Sequence, residues 1–165
     1  ARMPKPIIID NDLIPLIKDN INLINELDTN ISIKLSSNKP KIYLNSDSEQ
    51  ISRVFFNLIK NSIESIMDKK LANANFNGEI DIILEERVLD INFIITDNGA
   101  GFGLSNNNIK DVLNPYFTTK KKGTGLGLAI VNKTINDHNG SINFIQIKDG
   151  AKIQILFMKL WVLRF

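Results

Sequence analysis

The chain has 165 residues and a net charge of +2, and 43% of its residues are hydrophobic and 23% charged. This length supports one domain with its own core, and the small net charge gives no reason to expect binding to nucleic acid or to an anionic membrane. The absence of cysteine excludes disulfides, thiolate metal sites and cysteine catalysis, and no apolar run approaches the roughly 20 residues of a membrane-spanning helix.

The first half of the chain predicts two helices separated by two short strands. Apolar residues recur at helical spacing over residues 12–28, and short β-forming runs follow at 30–36 and 41–44. A longer helix is expected over about 47–69, with its apolar residues on one face. Ser46 is the expected N-cap of this longer helix.

The second half predicts two pairs of strands with one helix between them. Residues 100–123 show little regular pattern, and a loop of this length is usually a lid, a binding loop or a disordered segment. A helix is expected from about 124 to 138 because Asn139-Gly140 is a natural stop. This order of elements favours an α+β fold, a two-layer α/β sandwich in which helices cover one face of a mixed, mainly antiparallel sheet. The expected strands lie at 79–87, 90–97, 141–148 and 151–158.

The strongest local pattern is the glycine-rich run from Gly123 to Gly127 at the start of the third predicted helix. Glycine lets a ligand approach the backbone, and a helix N-terminus offers free N–H groups with a partial positive charge, so the two together suit a phosphate group. The lysines at 120–122 would oppose the helix dipole unless an anion lay beside them. The alternatives are a tight turn for the glycines and a solvated charge run for the lysines.

A second pattern, Asp97-Asn98-Gly99-Ala100-Gly101, follows an apolar predicted strand. A carboxylate at this position can accept a hydrogen bond from the exocyclic amine of a base, and the glycines let a ligand lie against the backbone. Taken by itself, the segment is better explained by a simple turn.

The third pattern lies on the long helix, where Asn57 and Asn61 share one face at the border of the apolar stripe, with Gln50 and Ser65 alongside. Asparagine is a mediocre helix former, and its amide oxygen can bind Mg²⁺, a hard cation that prefers oxygen. The alternative is a pair of boundary asparagines bonded to nearby backbone. All three patterns together would make a complete nucleotide site, with the irregular segment as its lid.

These patterns resemble the ATPase domain shared by gyrase, Hsp90, MutL and histidine kinases, and among these the histidine kinases. The matching segments follow in the family's order and span about residues 40–158. The irregular segment that would form the lid and the opening ARMPKP are most similar to NtrY-type nitrogen-regulation sensor kinases. The segments are FFNLIKNSIES (55–65), DNGAGF (97–102), PYFTTK (115–120), GTGLGLAIV (123–131) and Asn139 to Ile142.

The resemblance implies a site for ATP and Mg²⁺ in which Asp97 binds the adenine amine and Asn61 is the metal ligand. Asn57 and Lys120 would assist, and Phe117 would anchor the lid on the domain. The resemblance assigns no residue a certain catalytic role. The implied nucleotide-binding residues are Asn57, Asn61, Ser65, Asp97, Gly99, Gly101, Phe102, Thr119, Lys120, Lys122, Gly123, Thr124, Gly125, Leu126, Gly127 and Leu128.

Two positions depart from the family's pattern. Relatives that hydrolyse ATP carry a glutamate general base where this chain has Asn57, and an amide cannot take a proton from water, so efficient hydrolysis is not expected. Many histidine kinases place a lysine or arginine where this chain has Glu64. Either the lid lysines compensate for that difference or the affinity for ATP is low.

The single histidine, His138, is expected to be structural, a cation complementing the dipole at a helix end. We therefore expect residues 1–10 to lead out of a missing dimerisation and phospho-acceptor domain, residues 11–159 to form the catalytic domain, and residues 160–165 to form an apolar tail. The resemblance implies a soluble, monomeric fragment of a homodimeric, membrane-anchored sensor. The fragment would face the cytoplasm, and the sensor would act on a response regulator.

Two other functions remain open at this point. One is a serine kinase of the anti-sigma-factor type, which has the same fold and an external protein substrate. The other is a non-catalytic module that binds nucleotide only as a regulatory ligand, a possibility that Glu64 leaves open. A helical hairpin with a histidine in the residues that precede Ala1 would separate the first from a histidine kinase. Nucleotide titration followed by phosphate transfer to an added dimerisation hairpin would separate the second.

Overall fold

Helices and strands alternate irregularly along the computed structural model, which describes residues 4–27, 30–102 and 127–159. Most of the expected lid and the apolar tail lie outside the described residues. In chain order the elements are β1 (Ile9–Asp12), α1 (Leu13–Asn25), β2 (Ser32–Ser37), β3 (Tyr43–Ser46), α2 (Ser48–Ala72), β4 (Glu79–Glu86), β5 (Asp90–Asp97), α3 (Gly127–Asp137), β6 (Gly140–Gln146) and β7 (Ala151–Met158).

The main sheet has five strands in the order β2-β4-β5-β7-β6, and a separate ribbon pairs β1 with β3. Only the pairing of β2 with β4 is parallel within the main sheet; β4 with β5, β5 with β7 and β6 with β7 are antiparallel. This confirms the expected mixed, mainly antiparallel sheet. The central position of β5 places its last residue, Asp97, between two neighbouring strands, opposite Ile80 and Ala151.

Alternating side chains of the central strands point into one apolar layer that α1, α2 and α3 cover. On β4 and β5 these are apolar residues with almost no exposure, and the ring of Phe93 lies 5.0 Å from that of Phe55 on α2, centroid to centroid. A single shared layer of this kind is what a two-layer sandwich requires. None of the described helices is both long enough and apolar enough to cross a membrane.

Two helix starts differ from the sequence expectation. The N-cap of α2 is Asp47, one residue after the predicted Ser46, and its Oδ1 accepts a hydrogen bond from the N–H of Gln50 at 3.1 Å. Ser46 is instead buried at the end of β3, where its hydroxyl donates to the carbonyl of Leu44. Both residue types cap helices well, so the position of the strand end decides between them. Likewise, α1 begins at Leu13 with Asp12 as its cap.

The single histidine is structural, as expected, but not as a cation at a helix end. His138 follows α3 and is only 4% exposed. Its Nε2 accepts a hydrogen bond from the N–H of Asp47 at 3.0 Å, and its Nδ1 lies 2.7 Å from the carbonyl oxygen of Thr134. A backbone N–H can only donate, so Nε2 carries no proton in this arrangement and the ring is neutral with its proton on Nδ1.

Candidate functional site

Asp97 ends β5 and is an almost fully buried carboxyl group at the edge of the helix layer. It is 5% exposed, and its Oδ1 accepts a hydrogen bond from the N–H of Gly99 at 2.9 Å. Burial raises the pKa of this carboxyl above its ordinary value, while hydrogen bonds from the backbone of Gly99 and Ala151 and from the hydroxyls of Ser62 and Ser65 act in the opposite direction. The site therefore holds a poorly solvated carboxylate, and a further hydrogen-bond donor would stabilise its charge.

The loop after Asp97 is held against α2 by contacts that only glycine permits. A Cβ on Gly99 would lie 2.6 Å from the backbone nitrogen of Ile66 and 2.5 Å from the hydroxyl of Ser65. The carbonyl of Ser65 accepts from the N–H of Ala100 at 3.0 Å, and its hydroxyl accepts from the N–H of Gly101 at 3.2 Å. The structure thus brings together Ser65, Asp97, Gly99 and Gly101, four of the residues expected in the site.

Gly150 is a site residue that the sequence analysis missed. It lies in the turn between β6 and β7 with a φ of +113°, and a Cβ there would lie 1.8 Å from the carbonyl oxygen of Asp97. Gly101, with a φ of +81°, packs on the same turn, and a Cβ on Gly101 would lie 3.0 Å from the carbonyl oxygen of Gly150. The Asp149-Gly150 pair between two strands signals a turn, but nothing local indicates that this turn supports Asp97.

Two polar residues near Asp97 were also missed. Ser62 is 4% exposed on α2, next to Asn61, and its hydroxyl helps to hold the Asp97 carboxylate. The side chain of Asn98 accepts from the N–H of Glu79 at 2.8 Å and donates to the carbonyl of Asn77 at 3.0 Å. These contacts fix the loop to the segment that leads into β4. In the sequence, the available signal for Ser62 was its position on the predicted long helix directly after Asn61.

Asn57 and Asn61 lie on α2, half-buried, on the face that Ser65 continues. Four residues of α-helix rise about 6 Å, so Asn61 lies one turn from the Asp97 loop and Asn57 two turns. Amide oxygens suit Mg²⁺, and the described residues contain no group of three acidic, histidine or cysteine side chains that could hold a metal alone. The residues present therefore fit a cation that shares its shell with phosphate oxygens and water.

The described part of α3 begins at Gly127, and α3 packs on α2. A Cβ on Gly127 would meet no described atom within 4 Å. Leu128 and Phe102 instead pack on the core, and the Phe102 ring meets that of Phe144 edge-on at 5.7 Å. The remaining expected contacts lie outside the described residues: Thr119, Lys120, Lys122, Gly123, Thr124, Gly125 and Leu126.

Glu64, the departure from the family's pattern on α2, is a surface residue. Its carboxylate lies 3.9 Å from the ammonium group of Lys60; the Lys60 side chain is exposed and that of Glu64 is partly exposed. Exposed pairs of this kind contribute little to stability. The Lys60 charge nevertheless offsets part of the repulsion that Glu64 would exert on a phosphate bound nearby.

The burial of Asp97 predicts that its charge makes the stability of the fold depend on pH. A carboxyl whose folded pKa is raised contributes stability when it is protonated, and that contribution disappears as the pH rises through its folded pKa. We therefore expect the free energy of unfolding of the wild type, measured relative to that of Asp97→Asn, to fall as the pH rises from the usual aspartate range near about 4 toward 7. Urea unfolding at several pH values measures this. A difference between the two proteins that stays constant or grows in favour of the wild type over this range would contradict it.

Comparison with known proteins places the same residues in a described family. Residues 46–160 match the family model "Histidine kinase-, DNA gyrase B-, and HSP90-like ATPase". A putative NtrY-like sensor histidine kinase of Rickettsia typhi is 35% identical over 158 residues, which cover 95% of this chain and 25% of that protein. Sporulation kinase A of Bacillus subtilis is 37% identical over 130 residues, 78% of this chain and 20% of that protein.

A solved structure shows the same architecture. The catalytic domain of histidine kinase ThkA superposes with a TM-score of 0.77 at 25% identity, over 93% of this chain and 96% of that one. The chain thus matches that catalytic domain over nearly its whole length, whereas it spans a quarter or less of the two curated relatives.

Proposed function

The chain belongs to the family of histidine kinase-, DNA gyrase B- and HSP90-like ATPases, and we propose that it is the ATP-binding catalytic domain of a two-component sensor histidine kinase, close to the NtrY type. It would transfer the γ-phosphate of ATP to a histidine on a separate domain. The buried Asp97 carboxylate supports this proposal most directly, because it is a desolvated acceptor beside a glycine loop. Such a group suits the exocyclic amine of adenine.

The phosphates would lie between α2 and the start of α3. Asn61 would provide an amide oxygen to Mg²⁺, with Asn57 one turn away assisting, and the backbone N–H of Gly127 would donate to phosphate oxygens. When bound, Mg²⁺ neutralises charge on the phosphates. The chain's own residues then act by positioning the nucleotide, which is the main contribution of proteins to phosphoryl transfer.

The accepting nucleophile is not expected within this chain. The only histidine is His138, and both of its ring nitrogens are engaged, Nε2 by the N–H of Asp47 and Nδ1 by the carbonyl of Thr134. A buried imidazole without a free nitrogen cannot attack a phosphate. We therefore propose that the acceptor belongs to a dimerisation domain elsewhere in the whole protein, which would be homodimeric, membrane-anchored with this domain on the cytoplasmic face, and paired with a response regulator.

A phosphotransfer assay tests this function. The chain is mixed with γ-labelled ATP, Mg²⁺ and the histidine-bearing domain of the whole protein. We expect label on that domain in an acid-labile, base-stable form, as a phosphorus–nitrogen bond requires. The chain alone should release little phosphate, because Asn57 cannot serve as a general base.

The control is the same partner domain with its histidine replaced by alanine, which should remain unlabelled. Label on a serine of another protein would favour the serine-kinase alternative. Nucleotide binding without any transfer would favour a regulatory module. Rapid phosphate release by the chain alone would contradict the proposed role of Asn57.

A further inference from the structure

Asp47 lies where three separate elements meet. It caps α2 through its Oδ1, which accepts from the N–H of Gln50 at 3.1 Å. Its Oδ2 accepts from the N–H of Ile7 at 2.8 Å, and its own N–H donates to Nε2 of His138 at 3.0 Å. One residue therefore joins the start of α2, the end of α3 and the segment that precedes β1.

The segment that precedes β1, residues 4–8, is held to the domain by polar contacts more than by burial. Ile7 and Ile8 are 75% and 47% exposed, so their side chains contribute little apolar burial. The hydrogen bond from Ile7 to Asp47 is joined by one from the side-chain amide of Gln50 to the carbonyl of Pro4 at 3.4 Å. Asp47 and Gln50 on the first turn of α2 thus carry most of the attachment of residues 4–8.

The hydrogen bond from Ile7 is charge-assisted at neutral pH. The backbone N–H of Ile7 is the largest cause of a lowered pKa at Asp47; burial acts against it, and the N–H groups of Gln50 and Glu49 also lower that pKa. A charged acceptor makes a stronger hydrogen bond than a neutral one. The attachment of residues 4–8 therefore depends on where the Asp47 carboxylate sits.

The other side of Asp47 is fixed by α3. His138 is 4% exposed and its Nδ1–H bonds the carbonyl of Thr134, so the ring is rigidly attached to the last turn of that helix. The described α3 has 11 residues and is about 16 Å long at 1.5 Å per residue. Gly127 and His138 therefore lie at opposite ends of one helix, and a rigid-body tilt of α3 would move the imidazole with it.

We propose that His138 and Asp47 form a link through which nucleotide held at the first turn of α3 changes the attachment of residues 4–8. His138 is then a positioning residue for α3, and Asp47 is the junction. The coupling works in both directions, since any movement that segment 4–8 imposes on Asp47 changes the affinity for nucleotide by the same factor. This inference rests on the proposed function, because it requires phosphate at the start of α3.

Amide hydrogen exchange on the ¹⁵N-labelled chain tests the link, with and without saturating Mg-ATP. In the wild type we expect the exchange rate of the Ile7 amide to change by about fivefold or more on nucleotide binding. In His138→Ala that response should be lost, while the nucleotide-induced shifts of the Gly99 and Gly101 signals remain. His138→Gln, whose side-chain oxygen can still accept from the N–H of Asp47, should recover part of the response.

Two further variants keep the test decisive. Lys133→Ala removes the surface pair of Lys133 with Asp137, 2.9 Å apart on the same last turns of α3, and should leave the Ile7 response intact. Asp47→Asn keeps the backbone contact to His138 but weakens the acceptor for Ile7, so it should speed exchange at Ile7 with and without nucleotide.

The link is wrong if nucleotide shifts Gly99 and Gly101 but leaves Ile7 exchange unchanged in the wild type, or if His138→Ala responds like the wild type. A chain in which Mg-ATP shifts neither glycine would contradict the proposed function itself, and the link with it. The glycine signals therefore distinguish the two failures.

Discussion

Replacing Asp97 with asparagine should weaken ATP binding by roughly 5- to 150-fold at pH 7, the equivalent of about 1–3 kcal/mol. The carboxylate is 5% exposed, already accepts from the N–H of Gly99, and has little water to compete for its remaining capacity. An amide in its place keeps one acceptor for Gly99 but turns an NH₂ group toward the amine of adenine. Two donors then face each other, and one buried hydrogen bond is lost without replacement.

Calorimetric titration of ATP into the folded mutant measures this loss, and Asp81→Asn is its matched control. Asp81 is an exposed aspartate on β4, whose strand neighbours β5, so the same chemical change there should leave the affinity unaltered. The urea unfolding curve of Asp97→Asn shows that the mutant is folded under the titration conditions, so that weaker binding is not attributed to unfolding. Equal affinity of the Asp97 mutant and the wild type would contradict the proposed role.

Replacing Gly150 with alanine should destabilise the domain by about 3 kcal/mol or more. Its φ of +113° is a conformation that residues with a Cβ rarely adopt, and that Cβ would lie 1.8 Å from the carbonyl oxygen of Asp97. The obstructing atom is backbone in the middle of the sheet, which cannot move aside as a flexible side chain would. The turn or the end of β5 must shift, and ATP affinity should fall with it.

Urea unfolding compares this mutant with Gly127→Ala, a control for folding alone. A Cβ on Gly127 meets no described atom within 4 Å, and alanine suits a helix better than glycine, so no loss of stability is expected there. If Gly150→Ala unfolded at the same urea concentration as the wild type, the close approach of the turn to Asp97 would be wrong.

The sequence predicted the elements whose apolar residues follow a regular period. The stripe on α2 and the alternation on β4, β5 and β7 each bury one face, so their existence and type could be inferred, and the order of elements indicated the sheet class. The ribbon strand β1 was not predicted. Its residues Ile9–Asp12 show no apolar alternation, and it is a strand because it pairs with β3, a contact that no local pattern encodes.

The residues of the candidate site likewise fall into those that the sequence indicated and those that it did not. Asp97 and its glycines were recognisable because they are consecutive in the chain and follow a strand. Ser62 and Gly150 could not be assigned, because their roles come from packing against Asp97 across the fold. The N-cap of α2 is a further feature that the sequence could not decide, because Ser46 and Asp47 are both good caps. The pairing of β3 alone decides that Asp47 takes the role.

The most direct test of the nucleotide site is a titration of the ¹⁵N-labelled chain with Mg-ATP, followed through its backbone amide signals. Saturable shifts are expected at Ser65, Gly99 and Gly101, which surround the Asp97 carboxylate, and at Gly127, where the described part of α3 begins. The proposed site is contradicted if these four signals stay unmoved at millimolar Mg-ATP, or if the shifts fall on a different part of the domain.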